Sequence, residues 1–154
     1  MSRLVVVSNR VADVSKEHQS GGLAVAVGDA LRKTGGLWFG WDGEIVDPST
    51  HQQPHIHETN NVALVTVPLS QEEYDNYYLG FANSVLWPLL HYRLDLVEFD
   101  VAYLHAYRSV NQRFANVLSG YLKPDDLIWV HDYHLIPFGA ELRTRGLGQR
   151  LGFF

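Results

Sequence analysis

One pattern constrains this chain more than any other. Short β-branched apolar runs alternate with stretches whose apolar residues step by three and four, and glycine or proline stands at the joints. Leu4 to Val7 reads as a strand buried on both faces and ends in Ser8-Asn9-Arg10. After a polar loop from Asp13 to Ser20, Gly21-Gly22 opens a small-residue helix that runs past Leu31 and stops near Gly35-Gly36. Leu37 to Trp41 is a second strand, whereas Asp42 to Asn61 is polar and reads as an exposed hairpin or excursion. Val62 to Val67 is a third strand, and Ser70 followed by Glu73 forms a capping box at a helix start. From Val101 to Tyr121 the apolar positions 107, 110, 114, 117, 118 and 121 mark one helix face. Pro124-Asp125-Asp126 ends that helix, Leu127 to Val130 is another strand, Leu135 to Arg145 is helical, and Arg150 to Phe154 begins one more strand. The expected fold is α/β, a doubly wound parallel sheet whose ligands sit at the carboxyl ends of its strands.

The length, 154 residues with 46% hydrophobic side chains, fits one domain over residues 1–154. A formal charge of -5 gives no clustered cation for nucleic acid or an anionic membrane, so neither is expected as a partner. The absence of cysteine excludes disulfides and thiolate metal sites and fits a cytoplasmic location. No segment has the length of a signal peptide's apolar region or of a membrane span. The chain stops on Leu151-Gly152-Phe153-Phe154 just as a strand starts, and is therefore expected to be a piece of a longer polypeptide.

Three places suit chemistry. At the end of the first strand, Arg10 and the Gly21-Gly22 helix start offer a guanidinium, close backbone amides and a helix dipole to a phosphate, although a bare Gly-Gly also makes an ordinary turn and Arg10 an ordinary surface charge. At the end of another strand, Trp129-Val130-His131-Asp132-Tyr133-His134 puts a carboxylate between two imidazoles. Asp132 there is a hydrogen-bond acceptor for sugar hydroxyls or a base, a helix N-cap, or with His131 and His134 a metal ligand. The third place is aromatic: Tyr77-Tyr78, Phe81, Trp87, Trp38 and Trp41 include rings suited to the flat faces of sugars, while Trp38, Phe81 and Trp129 are expected in the core. Arg93 and Arg108 read as surface or ion-pair residues, and His51, His55 and His57 as a solvated loop.

Ser8-Asn9-Arg10, Gly21-Gly22-Leu23, Gly36-Leu37-Trp38-Phe39-Gly40-Trp41, Tyr77-Tyr78, the run Phe81 to Pro88, His91-Tyr92-Arg93 and Trp129 to Leu135 occur in an order that closely resembles the trehalose-6-phosphate synthases, family 20 of the glycosyltransferases. The resemblance covers nearly the whole chain. It implies a Rossmann-like, acceptor-binding first domain of a GT-B glycosyltransferase, with UDP-glucose as donor and glucose 6-phosphate as acceptor. Arg10 and Tyr78 would hold the acceptor phosphate, with Trp41 and Trp87 lining its pocket. Asp132 would act as the catalytic residue, hydrogen-bonding the acceptor sugar near the reacting hydroxyl. Gly21 and Gly22 would set amides beside the donor diphosphate. No metal and no cofactor is implied, because cationic side chains neutralise the leaving group in this family, and assembly into a homo-oligomer is left open.

The loop Val11-Ala12-Asp13-Val14 departs from the family pattern by lacking the proline that many relatives carry there. The next family motif, a His-Ile-Pro-Phe-Pro loop, and the whole second domain would follow Phe154, so the 154 residues alone are expected not to turn over. Two other readings keep the fold: a regulatory phosphosugar-binding subunit without chemistry, and a glucosylglycerol-phosphate synthase that uses a different phosphorylated acceptor.

Overall fold

The computed structural model describes residues 2–11, 22–49, 53–59 and 61–154, so Gly21 and His51 lie outside the described residues. Its centre is a six-stranded sheet in the order β3-β4-β2-β1-β5-β6. The strands are β1 (Leu4–Arg10), β2 (Gly36–Val46), β3 (His55–Thr59), β4 (Val62–Ser70), β5 (Leu127–Val130) and β6 (Arg150–Phe153). All neighbours run parallel except β3, which pairs antiparallel with β4. The chain proceeds outward from β1 through β2 to β4 and then returns to the other side of β1 with β5 and β6. The strand order therefore reverses between β1 and β5, which is where open parallel sheets form a crevice at their carboxyl ends.

The two-residue period of the strands sorts their side chains into two cores. Val6, Trp38 and Leu64 point to one face and meet Val27 and Leu31 of α1 (Gly22–Thr34). Val5, Val7, Leu37, Phe39, Val65, Ile128 and Val130 point to the other, where Phe114, Leu118, Phe138 and Leu142 cover them. Those four belong to α4 (Val101–Ser119) and α5 (Phe138–Thr144).

Between β4 and α4 the chain is helical in three registers. Ser70 caps α2 (Gln71–Glu73) through the reciprocal bonds of a capping box, as its sequence indicates. A π-helix follows over Tyr74–Leu86, and α3 (Trp87–Leu90) completes the segment. Arg113 on α4 ties the start of this segment down by pairing with Glu73 at 2.9 Å and donating to the Pro68 carbonyl.

Of the two readings for residues 42–61, the exposed hairpin is what the described residues form, since β3 pairs antiparallel with β4. β2 continues through a bulge to Val46, and β3 adds an edge strand to the sheet. Trp38 is fully buried as expected, but Phe81 is only half-buried, at the margin of the core, and Trp129 is 36% exposed, because the face of β5 that carries it has no helix over it among the described residues. None of the described helices is long and apolar enough to cross a membrane.

Candidate functional site at the carboxyl ends of β1, β2 and β5

Because β2, β1 and β5 are parallel neighbours, the residues that leave their carboxyl ends converge. Arg10 ends β1, in register with Trp41 on β2. An irregularity in β1 between Val7 and Arg10 turns the strand there, and Ser8 and Asn9 face inward. Ser8 Oγ donates to the Arg10 carbonyl and accepts from the Trp38 indole, both at 2.8 Å, while Asn9 accepts from the buried Tyr77 hydroxyl at 2.6 Å. The backbone that delivers Arg10 is thus fixed from beneath, and its side chain is exposed with the guanidinium carbon 5.1 Å from the Trp41 ring centroid.

The bulge in β2 performs the same service for Trp41. Its indole N–H donates to the Glu44 carbonyl at 2.8 Å, across Gly43 at φ +92°. A Cβ on Gly43 would lie 2.2 Å from an Arg10 guanidinium nitrogen, so glycine there leaves room for the cation. Trp41 then meets Tyr74 and Tyr78 of the π-helix at ring distances of 5.8 and 5.7 Å. Tyr78 stacks in turn on His134 at 5.7 Å and 16°, and His134 on Tyr133 at 4.2 Å and 23°.

This continuous aromatic path leads to Asp132, whose Oδ2 is 3.9 Å from His134 Nδ1. Asp132 follows β5 by two residues and has φ 77° and ψ 158°, a region that residues other than glycine rarely occupy. Its Oδ1 accepts from the Tyr133 amide at 2.8 Å, so Asp132 caps the short 3-10 turn Tyr133–Leu135 and not the helix expected from Leu135, which starts at Phe138 behind Pro137. The carboxylate is half exposed and its other oxygen is not used by the cap. α4 secures the turn from behind: Tyr107 donates to the Tyr133 carbonyl at 2.6 Å and Asn111 to the His134 carbonyl at 3.1 Å. Tyr133 reaches the π-helix through Asn83 at 3.3 Å.

Burial governs the ionisation of the surrounding groups. It lowers the His134 pKa to about 4 and lowers that of His131, so both rings are neutral near pH 7, even though Asp132 pulls each the other way. It also pushes the Tyr133 phenol up to about 12 and the Tyr77 phenol well above its ordinary value. Among the described residues the site brings together the exposed Arg10 guanidinium, the exposed Asp132 carboxylate and a wall of aromatic rings. That combination suits a phosphorylated polyol: the cation for the phosphate, the carboxylate for hydroxyls, the rings for a carbon face.

Of the residues selected from sequence, Arg10, Trp41, Tyr78 and Asp132 come together here. Gly22 starts α1 after β1, and the first turn of that helix holds no acidic residue to oppose an anion. Trp87 is 42% exposed and stacks on His91 at 4.3 Å, with no ring contact to the cluster among the described residues. Arg93 pairs with Asp95 at the surface, as expected. Among the described residues the metal-ligand atoms that converge within 4.8 Å belong to Asp42, Glu44 and His55. The combination His131, Asp132 and His134 is not such a group. The sequence assigns no site role to Tyr74, Asn83, Tyr107 or Asn111, although Asn83 lies in the run Phe81 to Pro88 and Tyr107 on the apolar face of α4. For Tyr74 the i,i+4 spacing to Tyr78 was an available signal, whereas the other three act through long-range contacts.

A Rossmann-like sheet that gathers a cation, a carboxylate and aromatic rings at its switch point defines a class of α/β ligand-binding domains, and comparison with known proteins narrows it. The model of glycosyltransferase family 20 matches residues 2–154. This chain belongs to that family. It is 50% identical over 156 residues to a trehalose-6-phosphate synthase of Klebsiella pneumoniae, covering 100% of this chain and 32% of the relative. A crystal structure of an α,α-trehalose-phosphate synthase (UDP-forming) from Burkholderia vietnamiensis is 51% identical and superposes with a TM-score of 0.92 over 100% of this chain and 34% of that one. The corresponding enzyme from Burkholderia xenovorans, in complex with glucose-6-phosphate, is 48% identical with a TM-score of 0.91, covering 99% and 33%. The chain spans about a third of the length of the relatives it matches.

Proposed function

We propose that this chain is the acceptor-binding domain of a UDP-forming α,α-trehalose-phosphate synthase, which transfers glucose with retention from UDP-glucose to glucose 6-phosphate in the cytoplasm. The observation that carries the proposal is the convergence of Arg10, Trp41, Tyr78 and Asp132 at the switch point of a family 20 domain. A relative half identical in sequence is described in complex with glucose-6-phosphate.

In this reading Arg10 and Tyr78 grip the acceptor phosphate, and Trp41 lies against the sugar beside them. Trp87 reaches the same acceptor from α3. Asp132 accepts a hydrogen bond from the acceptor sugar near the reacting hydroxyl. Gly22, with Gly21 before it, brings the α1 N-terminus to the donor diphosphate. The acceptor oxygen bonds to the donor anomeric carbon as the bond from that carbon to the UDP oxygen breaks, on the same face and through an oxocarbenium-like state. The hydroxyl proton leaves with UDP. No protein nucleophile is required, so the domain's contribution is positioning, which can supply roughly 7–11 kcal/mol of barrier reduction when reactants are well oriented, together with electrostatic stabilisation of the leaving group.

The test is steady-state kinetics with UDP-glucose and either glucose 6-phosphate or glycerol 3-phosphate, on the polypeptide that joins this domain to the remainder found in its relatives. Trehalose 6-phosphate and UDP are the expected products. Arg10→Ala is expected to raise KM for glucose 6-phosphate by about 10- to 100-fold, the worth of a charge-assisted phosphate contact of ~1.5–3 kcal/mol. Preference for glycerol 3-phosphate, or an unchanged KM in the variant, would refute the acceptor assignment.

A further inference from the structure

We propose that His134 is a positioning residue whose Nδ1–H holds the second carboxylate oxygen of Asp132 toward the acceptor hydroxyl. The inference rests on the reading above, in which Asp132 faces the acceptor. Asp132 Oδ1 is committed to the Tyr133 amide at 2.8 Å, and Oδ2 lies 3.9 Å from His134 Nδ1. His134 is only 7% exposed, and neither of its ring nitrogens has a hydrogen-bond partner. A phenylalanine would make the same ring contacts with Tyr78 and Tyr133 without stranding two polar atoms. The acceptor on the Nδ1 side of this ring is Asp132 Oδ2.

Asp132 is the ionisable partner that comes within reach of that ring among the described residues. Burial keeps the imidazole neutral with a single proton, and a carboxylate on the Nδ1 side favours the tautomer that places it there. The ring itself is held still. Its backbone carbonyl accepts from Asn111 on α4, and its ring stacks with both Tyr78 and Tyr133. The half-exposed carboxylate can pivot about its Oδ1 bond to the Tyr133 amide, and a rotation of Oδ2 that shortens the separation by about 1 Å gives an ordinary hydrogen bond. Catalytic hydrogen bonds of this kind commonly tighten when substrate binds.

His134→Phe keeps the aromatic stack and removes the N–H, whereas His134→Asn keeps a donor where Nδ1 stands and removes most of the stack. In the full polypeptide, His134→Phe is expected to lower kcat by about 10-fold or more, the usual cost of losing an orienting partner, with KM for glucose 6-phosphate changed less than about twofold. His134→Asn is expected to recover most of that loss, and adding His134→Phe to Asp132→Asn to cost no more than about twofold further. A His134→Phe enzyme within about twofold of the wild-type kcat, or equal losses in the Phe and Asn variants, would overturn the proposal. The imidazole nitrogen-15 shifts of the wild-type protein give a readout independent of turnover and of the stability of any variant. A protonated Nδ1 supports the role and a protonated Nε2 sinks it. Should the wild type make no trehalose 6-phosphate, the functional reading falls while the tautomer still decides this one.

Discussion

At Asp132 the backbone adopts φ 77° and ψ 158°, a conformation that costs a side chain of order 1–3 kcal/mol relative to glycine. Surrounding bonds hold it there: its amide donates to the Phe154 carbonyl at 2.8 Å, and its own carbonyl accepts from Leu135 at 3.0 Å. Asp132→Gly and Asp132→Ala both delete the cap to Tyr133, so the difference between them isolates the backbone term. Urea unfolding is expected to find the glycine variant more stable than the alanine variant by about 1–2 kcal/mol, and equal stabilities would show that the conformation carries no strain. His134 makes a second prediction through its ionisation. Burial takes its pKa from 6.5 to about 4, so the unfolded chain gains this proton as pH falls below 6.5 while the folded chain resists until near 4. The unfolded state binds more protons across that window, and stability therefore falls with falling pH, by up to about 3 kcal/mol for this ring. Burial of His131 adds to the fall in the same direction. Unfolding midpoints at pH 7 and pH 4.5 check the sign, and His134→Phe should flatten the dependence. The identities of Asp132 and His134 were legible in the sequence, since a polar run directly after an apolar strand marks a strand end. The strain of one and the stranded nitrogens of the other were not, because both arise from contacts with residues far away in the chain, such as Tyr78 and Asn111.

Among the elements, the π-helix Tyr74–Leu86 is the unusual one, since such register commonly lasts a single turn. Its five-residue bonding persists to the end, where the Trp87 amide donates to the Ala82 carbonyl, and Ser84 Oγ donates to Leu79 five residues back. Tyr74 and Tyr78 leave this element toward Trp41, while Gly80 turns toward α4, where a Cβ would lie 2.6 Å from Tyr103 Cδ1. That atom belongs to the inner part of the ring and yields little. Gly80→Ala is therefore expected to destabilise the protein by about 1–3 kcal/mol through overpacking, read as a lowered thermal midpoint, and an unchanged midpoint would mean that the two helices separate freely. The capping box at Ser70 and Glu73 announced where this helical segment begins, because it is a local arrangement of four residues. Its register was hidden, since apolar spacing alone does not distinguish π from α bonding over so short a span. β3 was hidden for another reason: its first four residues are all exposed, so the alternation that reveals a half-buried strand is absent. The helix expected from Leu135 starts instead at Phe138, behind Pro137 and a short 3-10 turn.

For the molecule as a whole, the doubly wound plan was readable because strands and helices alternate with unambiguous punctuation, and strand order then fixes which ends meet. Coverage of the sheet was not readable. On the face that α1 covers over β1 and β2, the β5 residues Leu127 and Trp129 stand 39% and 36% exposed, although apolar runs of this kind normally belong to strands buried on both faces. β6 lies at the end of the strand order, so its outer row of amides and carbonyls has no strand partner among the described residues, and Phe153 on it is 52% exposed. An exposed apolar face beside an open parallel edge is a template for pairing with a second chain. The 154-residue polypeptide by itself is therefore expected to self-associate at roughly micromolar to millimolar concentration, visible as a sedimentation coefficient that rises with loading. Leu127→Lys places a charge on that face at the start of β5, at a position already partly open to water, and should shift association to higher concentration without changing the melting profile of the monomer. A polypeptide that sediments as a monomer throughout, or a lysine variant that associates as strongly as the parent, would show that the exposed face and the β6 edge do not direct contacts between molecules.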